Sequence, residues 1–194
     1  MSSTVFGGLN ATQIGNFSTA QVGGLTTAQV KALSTTAFNA LHDTQIDAMK
    51  SSQLGALSTT NFNSIDQTGI QALNAATQLN GLTTTQISGL TSTALGNFTA
   101  AQVDALSAAQ IGAFTTTSFN ALGATALSGL TASKLAGVTT TQIANLSSTA
   151  LGALSSTQIG ELSTAQVNAL TSTNVGLLNA STQINGLTAP RSGP

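Results

Sequence analysis

A single period governs this sequence: a large apolar residue returns every eight positions almost without interruption. "LTTAQVKA" at 25–32, "LSAAQIGA" at 106–113 and "LSTAQVNA" at 162–169 are three spellings of one octad. From Met1 the 194 residues divide into nine octads to residue 72, a nine-residue unit at 73–81, twelve octads to 177 and a second nine-residue unit at 178–186. That makes 23 units, followed by "LTAPRSGP". Position 1 is apolar in every unit, and position 6 (position 7 in the two longer units) is Val, Ile, Leu or Phe throughout. An array of this regularity is the mark of a repeat architecture, in which no unit buries its own apolar residues and neighbours must stack.

The polar letters of the octad have a local meaning. Position 2 is Ser, Thr, Asn or Asp in 20 of the 23 units, the exceptions being His42, Lys50 and Gly123, and position 5 is most often Gln. "STAQ", "TTTQ" and "SSTQ" fit the capping box, in which a Ser/Thr oxygen accepts the N3 amide and the N3 side chain accepts the N-cap amide. Each unit therefore starts a helix. Sixteen of the nineteen glycines fall in the last two positions of a unit, where a left-handed residue is expected to end the helix, and small residues there also let neighbouring segments approach.

A continuous helix is excluded, because eight residues at about 100° each overshoot two turns by about 80° and no fixed face stays apolar. The sequence predicts an all-α solenoid with one short helical turn per octad. Isolated turns this short are unstable in water, so stacking supplies their stability. The alternative is a β-solenoid with the same repeat, which the Thr, Val and Ile content favours and the Ala and Gln content disfavours.

A longer period lies over the octad. Units 1, 5, 8, 12, 15, 19 and 22 carry Val5, Ala37, Asn61, Ala94, Ser118, Ala150 and Asn174 at position 5 instead of Gln, a spacing that alternates four and three. Equivalent surroundings recurring every three and a half units imply a coil of about that many octads and a superrepeat of seven, about 57 residues. Coils stacked at about 8–10 Å would make a rod on the order of 60 Å long, with positions 1 and 6 along its axis and Ser, Thr and Gln outside or capping. The domain reading is one octapeptide-repeat solenoid over 1–187, uncapped at both ends, and a disordered tail over 188–194.

Composition excludes more than it selects. Charged residues are 5% of the chain and aromatic ones 4%, and there is no Cys, Trp or Tyr. The four basic residues are scattered, which leaves no patch for nucleic acid or an anionic membrane surface. No apolar run approaches the roughly 20 residues of a membrane span. The first residues carry neither the charged nor the apolar stretch of a signal peptide. His42 beside Asp43 raises a Ser/His/Asp arrangement, but it stands at a cap position and its counterparts in the array are not His, so it reads as a solvated cap substitute. Asp47, Asp104 and Glu161 recur at matching places too far apart to share a cation. The expectation is no catalytic residue, no metal, no cofactor and no small-molecule substrate.

The octad Leu-Ser/Thr-x-x-Gln-Val/Ile-x-Ala/Gly-Leu, over nearly the whole chain, resembles the "LTTAQVxAL" tracts of large secreted or surface proteins of bacteria, of the adhesin-like or biofilm-associated kind. That resemblance implies a non-enzymatic extracellular or cell-surface spacer, stalk or self-assembling filament subunit, associating end to end. Thr and Ser rows at regular spacing also suit an ice-binding solenoid, the alternative function.

Overall fold

A computed structural model of the chain describes residues 2–187, so the tail expected over 188–194 lies outside the described residues. Every regular element described is helical. Twenty-two α-helices of four to six residues and one 3₁₀ turn, Leu79–Gly81, follow one another from Ser3–Gly7 to Ile184–Leu187, and no strand occurs among the described residues. The β alternative is thereby disfavoured. Ala, Gln and an N-cap in every unit outweigh the Thr and Val that would suit a strand.

The helix Thr84–Ser88 shows how one octad folds. Thr83 is extended (φ −76°, ψ 155°), its hydroxyl oxygen accepts the Gln86 amide at 3.1 Å, and Gln86 Oε1 accepts the Thr83 amide at 2.8 Å. Ile87 and Leu82, at positions 6 and 1, are both buried. At the far end Leu90 N–H donates to the Ile87 carbonyl, tightening the last turn, and the chain extends again into the next cap. The two nine-residue units absorb their extra residue in a turn: Asn74 Oδ1 accepts the amides of Ala76 and Thr77, and Asn179 Oδ1 those of Ser181 and Thr182.

The helices do not end as the glycine pattern suggested. No described residue has positive φ, and the capping residues at the C-terminal ends are right-handed or extended, as at Gly8 (φ −86°, ψ −3°). Space, rather than left-handed backbone, accounts for several of the glycines. A Cβ on Gly81 would lie 2.0 Å from the Ser51 carbonyl oxygen, and one on Gly137 would lie 2.1 Å from that of Ala108. Gly55 and Gly112 meet the carbonyls of Gly81 and Gly137 at 2.3 and 2.5 Å in the same sense. These two sets repeat the seven-unit period.

The chain groups into two compact units, Met1–Phe98 and Thr99–Pro194. In the first, Ser3–Gly7 packs on Thr27–Lys31, Ala11–Gly15 on Thr35–Phe38, and Thr19–Gly23 on Asp43–Asp47. In the second, Ala108–Gly112 packs on Ala132–Leu135, Thr116–Asn120 on Thr140–Ala144, and Ser156–Gly160 on Ile184–Leu187. Each of these helices thus meets the helix three octads further along. Helices of four to six residues have no standing of their own, and burial of a Leu, Ile or Phe at positions 1 and 6, worth about 1.5–3 kcal/mol each, supplies it.

Candidate functional site

Glutamine carries a polar system that recurs in both compact units. The sequence places it outside or capping; the structure keeps the cap and buries the side chain. All thirteen buried polar residues among those described occupy the glutamine position of their unit, among them Gln45, Gln53, Gln86, Gln142, Gln158 and Gln166. Gln53, Gln86, Gln142, Gln158 and Gln166 each use both ends of the amide. While Oε1 accepts the N-cap amide of its own helix, Nε2 reaches back to carbonyls 28–32 residues earlier: Gln53 to Val22 and Leu25, both at 2.8 Å, and Gln86 to Leu54 and Leu57 at 2.8 and 2.9 Å. In the second unit Gln142 bonds Ile111 and Phe114, Gln158 bonds Leu127 and Leu130, and Gln166 bonds Leu135 and Val138. The acceptors are the position-6 carbonyl four units back and the position-1 carbonyl three units back. No buried side-chain nitrogen or oxygen among the described residues lacks a partner.

The units without glutamine solve the same problem differently. Asn61 and Asn174 are a methylene shorter and each keeps one carbonyl, Leu33 and Leu146. Lys134 Nζ donates to the Leu106 carbonyl. Where Ala94 and Ala150 stand, the unsatisfied N-cap amide is met from elsewhere: Thr91 N–H donates to Asn63 Oδ1 at 3.0 Å and Ser147 N–H to Asn120 Oδ1 at 2.8 Å. The Asn63 and Asn120 amides also donate to the carbonyls of Gly89 and Asn145. Sequence reading missed these two residues. Their signal is present, because they stand 57 residues apart, each about 30 residues before an Ala that replaces Gln.

Toward the first and the last described residues the burial pattern changes, with opposite sense. Gln13 and Gln21 keep their capping boxes but are exposed, and their Nε2 groups find no partner among the described residues. Leu9, Phe17 and Leu25 beside them are half-buried, and a groove of about 350 Å³ is lined by Phe6, Phe17, Gln21 and Leu25. At the other extreme the glutamine positions Gln166, Asn174 and Gln183 are buried. The position-6 row is uncovered there instead, with Val175 43% and Ile184 37% exposed, against 0% for Ile87 and Val103 inside.

The residues singled out for chemistry are dispersed. His42 is exposed and precedes the helix Asp43–Asp47; its backbone amide donates to Gln45 Oε1, and its ring has no serine within hydrogen-bonding reach among the described residues. Asp47, Asp104 and Glu161 are exposed, and no group of three potential metal ligands occurs among the described residues. No described helix is long and apolar enough to cross a membrane. The position-2 hydroxyls, on which an ice-binding face would draw, are largely engaged as caps, as at Ser18, Thr26, Thr99 and Ser155.

A family model described as the ALTTAQ repeat matches three stretches, residues 6–35, 27–59 and 149–180. The chain is a repeat protein with helical repeats, similar over those stretches to that family. No curated protein and no solved structure matches it.

Proposed function

We propose that the chain is a non-enzymatic structural repeat protein of the cell surface or extracellular space, a spacer, stalk or filament segment whose octads coil as an α-solenoid. The observation that carries this reading is the amide ladder. A glutamine bonded to carbonyls of the units three and four before its own is the connection expected of a coil of three and a half octads. Such a ladder joins each stretch only to its neighbours, so added units lengthen the array without redesign of a core. Scarce charge and a polar exterior of Ser and Thr suit a spacer that contacts little along its sides.

Two experiments test it. Deletion of residues 82–137, seven whole octads, should leave a chain with undiminished helicity per residue by circular dichroism, because unit 18 then takes the place of unit 11. Loss of folding on that in-register deletion would contradict the solenoid. Treatment of intact producing cells with a membrane-impermeant amine reagent should label the exposed Lys31 and Lys50. Labelling only after lysis would overturn the surface placement.

A further inference from the structure

We propose that the cavity beside Gly69 is a binding site for a small primary carboxamide from solution, of the acetamide or urea kind. There the fold builds the surroundings of a glutamine amide and the chain supplies no amide. The site lies within the first compact unit and goes beyond the spacer reading.

Gly69 stands at the glutamine position of the octad 65–72. In a glutamine octad three backbone groups grip the side-chain amide. For Gln53 the Lys50 N–H donates to its oxygen, and the carbonyls of Val22 and Leu25 accept from its nitrogen. The counterparts around Gly69 are Asp66, Phe38 and Leu41, and all three line one half-open cavity of about 110 Å³. Asp66 is extended like the other N-caps (φ −74°, ψ 179°), which aims its N–H toward the place of the missing side chain. That N–H and the Leu41 carbonyl have no hydrogen-bond partner among the described residues. At Ala94 and Ala150 the N-cap amide is met by Asn63 and Asn120; nothing described meets it at Asp66.

Asp43 adds an acceptor that the glutamine sites lack. Its Oδ1 lies 3.2 Å from the point a Gly69 Cβ would occupy, and its side chain makes no hydrogen bond among the described residues. The same place is Thr27 beside Gln53 and Thr59 beside Gln86. The cavity thus offers an N–H on one side and carbonyl and carboxylate oxygens on the other. A primary amide matches both, with an oxygen that accepts and an NH₂ that donates twice. The carboxylates of Asp43 and Asp66 turn anions away, and the Asp66 N–H opposes a bare cation. Water meets these groups one at a time; an amide joins them within one molecule.

Titration of the ¹⁵N-labelled full chain with acetamide, followed by NMR, tests the site. Saturable shifts are expected at the amides of Asp66 and Gly69 with a Kd of about 1–10 mM, the range open to so small a ligand. N,N-dimethylacetamide keeps the acceptor but has no N–H, and should give no saturable shift there; nor should calcium chloride. Ile65→Leu with Gly69→Gln should abolish binding, because the chain then supplies its own amide. Leucine is needed because a Cβ on Gly69 would meet Ile65 Cγ2 at 2.7 Å, a branch leucine lacks. Asp43→Ala should weaken acetamide about five-fold with unchanged circular dichroism, the loss of one hydrogen bond to the ligand. The site is overturned by no saturable response up to about 100 mM acetamide, by an equal response to dimethylacetamide, or by calcium saturating the same shifts. Undiminished binding in either variant would overturn it too.

Discussion

Gln21 and Gln53 share a capping box in function but not in surroundings. Gln21 accepts the Ser18 amide and stands in solvent; Gln53 accepts the Lys50 amide and is buried, its Nε2 held by two carbonyls. The same local motif is thus a surface cap in one region and an interior bridge in another. What differs is whether an earlier stretch of chain lies beneath it. The reverse holds for position 6, which is buried at Val22 and exposed at Val175.

The contrast is broken most severely by charge. Gln86→Glu keeps the cap but sets a carboxylate against the carbonyls of Leu54 and Leu57, with an expected loss of about 4 kcal/mol at neutral pH by urea unfolding, whereas Gln21→Glu should cost almost nothing. Burial against carbonyl oxygens raises the folded-state pKa of the introduced acid above its unfolded value. The variant should therefore be most stable below about pH 4 and lose stability as pH rises, a trend absent from the Gln21 variant. Gly81→Ala, with its Cβ 2.0 Å from the Ser51 carbonyl oxygen, should cost about 3 kcal/mol in the same assay, since backbone rather than a flexible side chain must move.

Smaller effects sharpen the division between local and distant bonds. Asn120→Ala removes the partner of Ser147 N–H and of the Asn145 carbonyl, and should cost about 2 kcal/mol while leaving the helix Thr116–Asn120 capped. Caps should behave alike everywhere: Ser18→Ala at the open face and Thr83→Ala in the interior should each cost about 1 kcal/mol, because the bond lost lies within one unit. Unequal costs would show that caps too depend on stacking. Gly96→Ala, in helix Ser92–Gly96 with no atom within 4 Å of the new Cβ, should stabilise the chain slightly, by up to about 1 kcal/mol in urea unfolding.

Much of the local fold is legible in the letters. Ser163 and Gln166 announce their capping box at a spacing of three residues, and Leu162 declares its burial by its place in the octad. Gly81 does not declare its reason: a glycine at a helix end reads as a left-handed cap, and only the nearness of Ser51 shows that room was required. Asn63 is harder still, because its partners Gly89 and Thr91 lie 26 and 28 residues away and belong to two other octads. The glutamines stand between these cases, one bond readable from sequence and two not.

The sequence by itself determined the octad, the caps, the apolar positions 1 and 6 and the seven-unit superrepeat, since each follows from spacing within a helix turn or from the recurrence of letters. Only the tertiary structure decided that glutamine is interior and that glycines such as Gly81 and Gly137 serve close approach. Those outcomes depend on how many units pass before the chain returns beside itself. That number sets which carbonyl meets which amide about 30 residues away, and stacking decides it rather than any local preference.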